Sequence, residues 1–247
     1  MTWLRASLKV FLILITLFIG LGLTVTIIPL SGFRRGLGSY RVRNCCTRAW
    51  SSTICSILGM RIETLGTPST ESTLTVANHI SWLDIMALAS QRDYVFVAKQ
   101  EVGDWPLLGK IFEGVGTLFI RRGNREDSDH LSGKMAEYLT RKIPLMLFPE
   151  ATTTDGTRVR RFSGKLMAPA RQTDQSIQPV AIRYGSPESA VTPFIGDDAF
   201  VTHLLKVARL PEIRIRLNFL PPIPAGSLPA DEIPRFVQSR IATALFD

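Results

Sequence analysis

The residues best placed to do chemistry are His79 and Asp84, in the run Asn78-His79-Ile80-Ser81-Trp82-Leu83-Asp84. A β-type run ends at Ala77 and a helical pattern begins after Ser81. The spacing therefore puts His79 on the loop leaving a strand and Asp84 in the first helical turn. There the carboxylate can fold back onto the imidazole, fix its tautomer and stabilise the imidazolium, which makes a general base. Ser81-x-x-Asp84 also reads as a helix cap with an acidic residue three positions on, with His79 a plain loop histidine. No GxSxG elbow, HExxH or GxGxxG accompanies the pair. With no serine or cysteine nucleophile motif, the expected nucleophile is a hydroxyl of the substrate, activated by His79.

Two further segments carry candidate groups. Gly116 to Gly123 is a β-run ending in Arg121 and Arg122. An arginine at a strand end can grip a phosphate through two parallel hydrogen bonds, although a solvated loop charge has the same appearance. Leu147-Phe148-Pro149-Glu150-Ala151-Thr152 puts a carboxylate just after a buried-type strand, where α/β sheets place ligand groups. Glu150 is suited to hold an acceptor hydroxyl or orient a basic residue. With three histidines at unsuitable spacing, no metal is expected.

These segments need a frame. From about residue 72, short β-type runs appear at 74–77, 94–98, 117–120, 145–148, 177–183 and 213–220. Helical patterns fall at 82–90, 105–112, 128–141, 163–170 and 234–246. The alternation predicts an α/β fold, a mixed β-sheet covered by helices. In front lies a charge-free stretch from Val10 to Leu30, preceded by Arg5 and Lys9 and followed by five arginines between Arg34 and Arg48. Its length suits a membrane helix rather than a cleaved leader, and the denser positive flank puts the C-terminal side in the cytoplasm. Whether it spans or dips in and returns is left open. Residues 39–59 read as an amphipathic helix, interfacial or simply packed, with Trp50, Ile54, Ile57 and Leu58 on its apolar side. The expected division is residues 1–59 as membrane anchor and interfacial helix, and 60–247 as the catalytic domain.

The chain has 247 residues, 45% of them hydrophobic, and a formal charge of +8. That content builds a real core and argues against disorder. The charge favours anionic partners. The membrane-length segment points to anionic lipid, and no motif supports nucleic acid. Three cysteines, without a CxxC pair, speak for reduced thiols.

Taken in order, the segments resemble the glycerolipid acyltransferase family, whose type member is 1-acyl-glycerol-3-phosphate acyltransferase. His79 and Asp84 match its HxxxxD motif. Phe119-Ile120-Arg121-Arg122 is similar to its FIDR motif, with Arg122 at the arginine position, and Phe148–Thr152 to its FPEGT motif. Gln178-Pro179-Val180 resembles its proline-containing fourth motif. Lys99, Glu101 and Pro106 fit the run between the first two. The resemblance covers about residues 70–185 and implies a catalytic His79–Asp84 pair. It also implies acceptor binding by Arg122, Glu150, Arg121, Thr152 and Lys99, an acyl-CoA or acyl-carrier-protein donor, and no cofactor or metal. The reaction implied is transfer of an acyl chain to the hydroxyl of a lysophospholipid, at a bacterial inner membrane with the catalytic domain cytoplasmic. Two departures stand out. Arg121 replaces the aspartate of FIDR, and Ala151 and Thr153 replace the glycine and arginine of FPEGTRS. Phe148–Gly156 is more similar to the family's lyso-ornithine lipid branch, which makes a non-glycerol lyso-lipid the alternative acceptor. A membrane-bound thioesterase is the other enzyme reading.

Overall fold

The computed structural model describes residues 2–26, 37–71, 73–121 and 125–246. Two long helices come first: α1 (Thr2–Val25) and α2 (Leu37–Leu58). Then follow β1 (Met60–Gly66), β2 (Thr73–Ala77), α3 (Trp82–Gln91), β3 (Val95–Lys99), α4 (Gln100–Gly103), α5 (Leu108–Gly114) and β4 (Leu118–Ile120). The chain continues through α6 (Arg125–Thr140), β5 (Leu145–Leu147), α7 (Ala168–Gln172), β6 (Ser176–Tyr184), α8 (Phe200–Ala208), β7 (Ile213–Phe219) and α9 (Ile233–Phe246).

The strands form one seven-stranded sheet in the order β1-β7-β6-β2-β5-β3-β4. Every neighbouring pair is parallel except β6 and β7, so the sheet is mixed, as the alternating pattern predicts. The central strand β2 reads Thr-Leu-Thr-Val-Ala and is buried along its whole length, so it needs cover on both faces. On one face Ile13 of α1, Ile54 and Leu58 of α2, Leu83 and Leu88 of α3 and Val207 of α8 form a single core. On the other face Met135 and Leu139 of α6 pack with Val237 and Ile241 of α9. The first two helices thus contribute to the same core as the sheet.

Several expectations need correction. The helix expected over 105–112 is broken, because Pro106 lacks an amide and Leu107 takes a left-handed φ of 62° between α4 and α5. Gly109 then crosses so close to the Gly103 carbonyl that a Cβ would sit 1.8 Å from its oxygen. The helix expected over 163–170 shrinks to α7. Strand β1 and helix α8 are additional to the elements that the sequence pattern predicts. The apolar N-terminal helix begins at Thr2, so Arg5 and Lys9 lie inside it and not before it. Residues 27–30 of the expected segment, and Arg122, lie outside the described residues.

Candidate active site

The parallel strands β2 and β5 are neighbours, so the loops leaving their C-terminal ends meet. His79 leaves β2 and Glu150 leaves β5. The His79 Nδ1 lies 2.9 Å from Asp84 Oδ2. That same oxygen accepts the amides of Ile80 at 2.7 Å and Ser81 at 2.9 Å, and Asp84 Oδ1 accepts the Tyr184 hydroxyl at 2.6 Å. An ionised carboxylate is an acceptor only, so Nδ1 carries its proton and donates it to Asp84. The Nε2 lone pair is left to take a proton. Asp84 therefore caps α3 and hydrogen-bonds the His79 ring at once. The amides of Ile80 and Ser81 are committed to Asp84 and are not spare for an oxyanion. Burial and the adjoining Asp84 carboxylate push the Tyr184 phenol well above its usual range, so it stays a donor.

The loop is braced from several sides. The His79 ring stacks on Phe148 with centroids 3.8 Å apart. Its carbonyl accepts the Thr154 amide at 2.8 Å. Asn78 locks the strand end to β6, donating to the Ile182 carbonyl at 2.9 Å and accepting the Ile182 amide at 2.8 Å. Glu150 is buried, with Oε1 accepting the His79 amide at 2.9 Å and Oε2 the Arg160 amide at 2.8 Å. Burial raises its carboxyl above the usual value, and those two amides oppose the rise. Next to it, Ala151 adopts a left-handed φ of 58°, at the position where the resembling motif carries glycine.

His79 opens onto a cavity of about 350 Å³ with mostly apolar walls. Ile13 and Leu17 of α1, Ile54 of α2 and Trp82 and Met86 of α3 form part of the wall, and Lys99, Thr152 and Thr153 supply polar groups. Of the expected site residues, His79, Lys99 and Thr152 reach this cavity, whereas Asp84 and Glu150 stand behind it. Arg121 is exposed at the end of β4, the strand at the sheet edge. A larger, open hollow of about 1030 Å³ lies over β1, β7 and β6 and does not include His79. Of its arginines, Arg216 pairs with Glu63 at 2.8 Å and Arg214 with Glu188 at 3.2 Å, while Arg183 donates to the Leu245 carbonyl at 3.2 Å.

No sequence motif points to Tyr184 or His203. Tyr184 reaches Asp84 from β6, a hundred residues away. His203, on α8, accepts the Trp82 indole N–H on Nδ1 at 3.0 Å, so its Nε2–H donates to the Pro193 carbonyl at 3.0 Å. Burial lowers its pKa below the ordinary 6.5. Below that value the unfolded chain takes up a proton that the folded chain refuses. The stability contributed by neutral His203 is therefore present above about pH 6.5 and lost as pH falls through the folded value. Melting temperatures measured across that window should fall on acidification and fall less steeply in His203→Gln. Parallel curves would show that another group sets the acid limb.

The general acyltransferase family model matches residues 61–183. A lyso-ornithine lipid O-acyltransferase of Pseudomonas aeruginosa is 40% identical over 208 residues, 83% of this chain and 80% of that one. A 1-acyl-sn-glycerol-3-phosphate acyltransferase of Neisseria gonorrhoeae is 31% identical over 205 residues, 80% of each chain. In fold, the chain is similar to the crystal structure of the 1-acyl-sn-glycerophosphate acyltransferase PlsC from Thermotoga maritima, with a TM-score of 0.70 at 15% identity, covering 99% of this chain and 96% of that one. With the matched segment containing the braced His79–Asp84 pair, the chain belongs to the acyltransferase family and is an acyltransferase.

Proposed function

We propose that the protein transfers a fatty acyl chain from a thioester donor, acyl-CoA or acyl-carrier protein, to the hydroxyl of a lyso-lipid whose head group is an amino acid of the ornithine type. The observation that carries the transfer reading is that His79 lines an apolar cavity while its Nδ1 is held by Asp84. His79 Nε2 takes the proton of the acceptor hydroxyl as its oxygen attacks the thioester carbonyl. The tetrahedral adduct collapses, the carbon–sulfur bond breaks, and the imidazolium returns its proton to the leaving thiolate. Asp84 stabilises the imidazolium between the two steps. Tyr184 holds Asp84, and Glu150 positions the His79 loop through its main-chain amide. Lys99 and Thr152 at the cavity, with Arg121 and its sequence neighbour Arg122, are the groups proposed for the acceptor head.

The acceptor assignment rests on Thr153. It stands where the resembling motif has arginine, and its hydroxyl donates to the Phe194 carbonyl in the cavity wall. A guanidinium that would pair with a phosphate is thus replaced by a group tied to the protein itself. Relatives named lyso-ornithine lipid O-acyltransferase support the same choice. The test presents purified enzyme and labelled acyl donor with lyso-ornithine lipid, with 1-acyl-glycerol-3-phosphate, or with no acceptor. Transfer to the first at a rate well above the second is expected. Preference for the phosphate acceptor would overturn the assignment, and equal label release without acceptor would indicate a thioesterase.

We also propose that α1 lies within one leaflet, flat against the catalytic domain, on the cytoplasmic side. Trp3–Val25 is long and apolar enough to cross a membrane. Yet one stripe, Ala6, Lys9, Ile13, Thr16 and Gly20, is buried against the domain, while Trp3, Leu4, Leu8, Phe11, Phe18 and Ile19 are exposed. A helix docked along most of its length supports a lipid-immersed outer face rather than a free span. The basic segment after α1 supports the cytoplasmic side.

A further inference from the structure

From Thr154 to Ser163 the chain runs without regular secondary structure around the base of the site. This strap starts at the His79 carbonyl, which accepts the Thr154 amide at 2.8 Å, and returns where the Arg160 amide donates to Glu150 at 2.8 Å. Val159 and Phe162 turn inward to the core shared with α6 and α9. The Val159 carbonyl accepts the Gln238 side chain at 3.2 Å, and the Ser163 amide donates to the Pro149 carbonyl at 3.2 Å. With the apolar residues facing in, Arg158, Arg160 and Arg161 face out, and Lys165 follows. All four are exposed. Among the described residues, none of the four has an acidic partner within ion-pair distance. Arg48, Arg61, Arg141, Arg214 and Arg216 each have one, whereas other exposed arginines such as Arg121 and Arg235 do not, so the strap is set apart by the clustering of its cations. Asp155, three positions before Arg158, offsets one of these charges, and the net positive charge that remains favours an anion held against the strap.

The fold says from which side that anion comes. α1 packs on α2, α5 and α8, and its buried stripe joins the core on one face of the sheet. The strap is rooted in the core on the other face. The cations therefore do not line the surface that α1 offers to lipid. A water-borne anion that must reach His79 fits this placement. The carrier end of an acyl thioester is such a group, since CoA and acyl-carrier protein both present a phosphorylated pantetheine arm. Guanidinium groups match phosphate oxygens with paired hydrogen bonds. We infer that Arg158, Arg160, Arg161 and Lys165 form the docking site for the anionic carrier portion of the acyl donor, opposite the face by which lipid enters. This rests on the thioester-donor reading above.

The test compares wild type with Arg158→Gln/Arg160→Gln/Arg161→Gln and with the matching triple lysine variant. Each is assayed with one acyl chain on carrier protein, on CoA, and on N-acetylcysteamine, which lacks the phosphate. The glutamine variant should raise donor KM roughly 10- to 100-fold for the phosphorylated donors. It should show a weaker dependence on salt, an unchanged acceptor KM and an unchanged rate from the N-acetylcysteamine thioester. The lysine variant should recover part of the loss. Loss with both phosphorylated donors assigns the contact to the shared phosphate, and loss with one alone assigns it to that donor. Unchanged donor KM with both, an equal loss with N-acetylcysteamine, or loss of binding to anionic vesicles instead would overturn the inference. Should wild type accept none of the three donors, the thioester reading itself fails. Fluorescence anisotropy of labelled holo-carrier protein and CoA would still decide whether the strap binds them.

Discussion

His79→Ala is expected to lower acyl transfer by about 10²–10⁴-fold while leaving the protein folded and membrane-bound, because that is roughly what a positioned general base contributes in rate. Folding should survive, since the bonds that place His79 run through its main chain, to Glu150 and Thr154. The neighbours should grade in effect. Asp84→Asn removes the acceptor that fixes the Nδ1 tautomer, and an amide cannot accept on both sides from the Ile80 and Ser81 amides, the imidazole and Tyr184. A loss of about 10²–10⁴ in kcat is expected, with some loss of stability from the cap. Tyr184→Phe removes one of four hydrogen bonds to Asp84 and keeps the ring, so the expected loss is about tenfold or less. Single-turnover rates at saturating donor and acceptor separate chemistry from binding here. Turnover by folded His79→Ala within tenfold of wild type would remove the general-base assignment. A larger loss in Tyr184→Phe than in Asp84→Asn would show the hydrogen bonds ranked wrongly.

The parts of this site that could be read from sequence are the parts made by neighbours in the chain. His79 and Asp84 are five residues apart across one strand-to-helix turn, so residue type and local pattern suffice. Six strands showed as apolar runs because β2, β5 and most of β6 are buried on both faces. β1 did not. At the sheet edge only Met60 is buried, and Ile62 and Thr64 alternate with the exposed charges of Arg61 and Glu63, so no apolar run marks the strand. α8 was legible in principle. Phe200, Leu204 and Val207 recur at helical spacing, but His203 sits among them as a buried polar residue and weakens the pattern. Long-range partners left no trace. Tyr184 meets Asp84, and Gln178 bridges to the Ser69 amide at 2.8 Å, only because β6 lies beside β2, which no local pattern specifies. Arg158, Arg160 and Arg161 look in sequence like an ordinary solvated loop. Their interest comes from Glu150, which ties the Arg160 main chain to that of His79.

Lys9 shows the same limit from the other side, and its removal should be among the most costly changes outside the catalytic pair. In sequence it reads as a basic flank before an apolar segment. In the fold its Nζ is buried and donates to the Leu58 carbonyl at 2.7 Å and the Leu210 carbonyl at 2.8 Å. Those carbonyls lie at the ends of α2 and just past α8, where backbone acceptors lack intrahelical partners and a cation is favoured. One side chain on α1 thus joins two helix ends. Farther along, the Trp50 indole donates to the Thr16 carbonyl at 2.8 Å, and a Cβ on Gly114 would meet the Thr24 methyl at 1.8 Å, so α1 stays in contact to its last turn. Each charge-assisted bond contributes about 1.5–3 kcal/mol, so Lys9→Met should cost roughly 3 kcal/mol or more. The consequence for activity follows from Ile13 and Leu17, one and two turns farther on, which form part of the cavity wall beside His79. Loosening α1 opens that wall. Transfer of a long acyl chain should then fall about tenfold or more, while a chain too short to reach the wall is transferred nearly as before. The measurement is kcat/KM for donors of increasing chain length in wild type and Lys9→Met, beside thermal unfolding in the same detergent. An equal loss at every chain length would mean that α1 supports the domain as a whole. No loss of stability would mean that the two carbonyls find water as readily as they hold the ammonium, and that α1 is fastened by its apolar stripe alone.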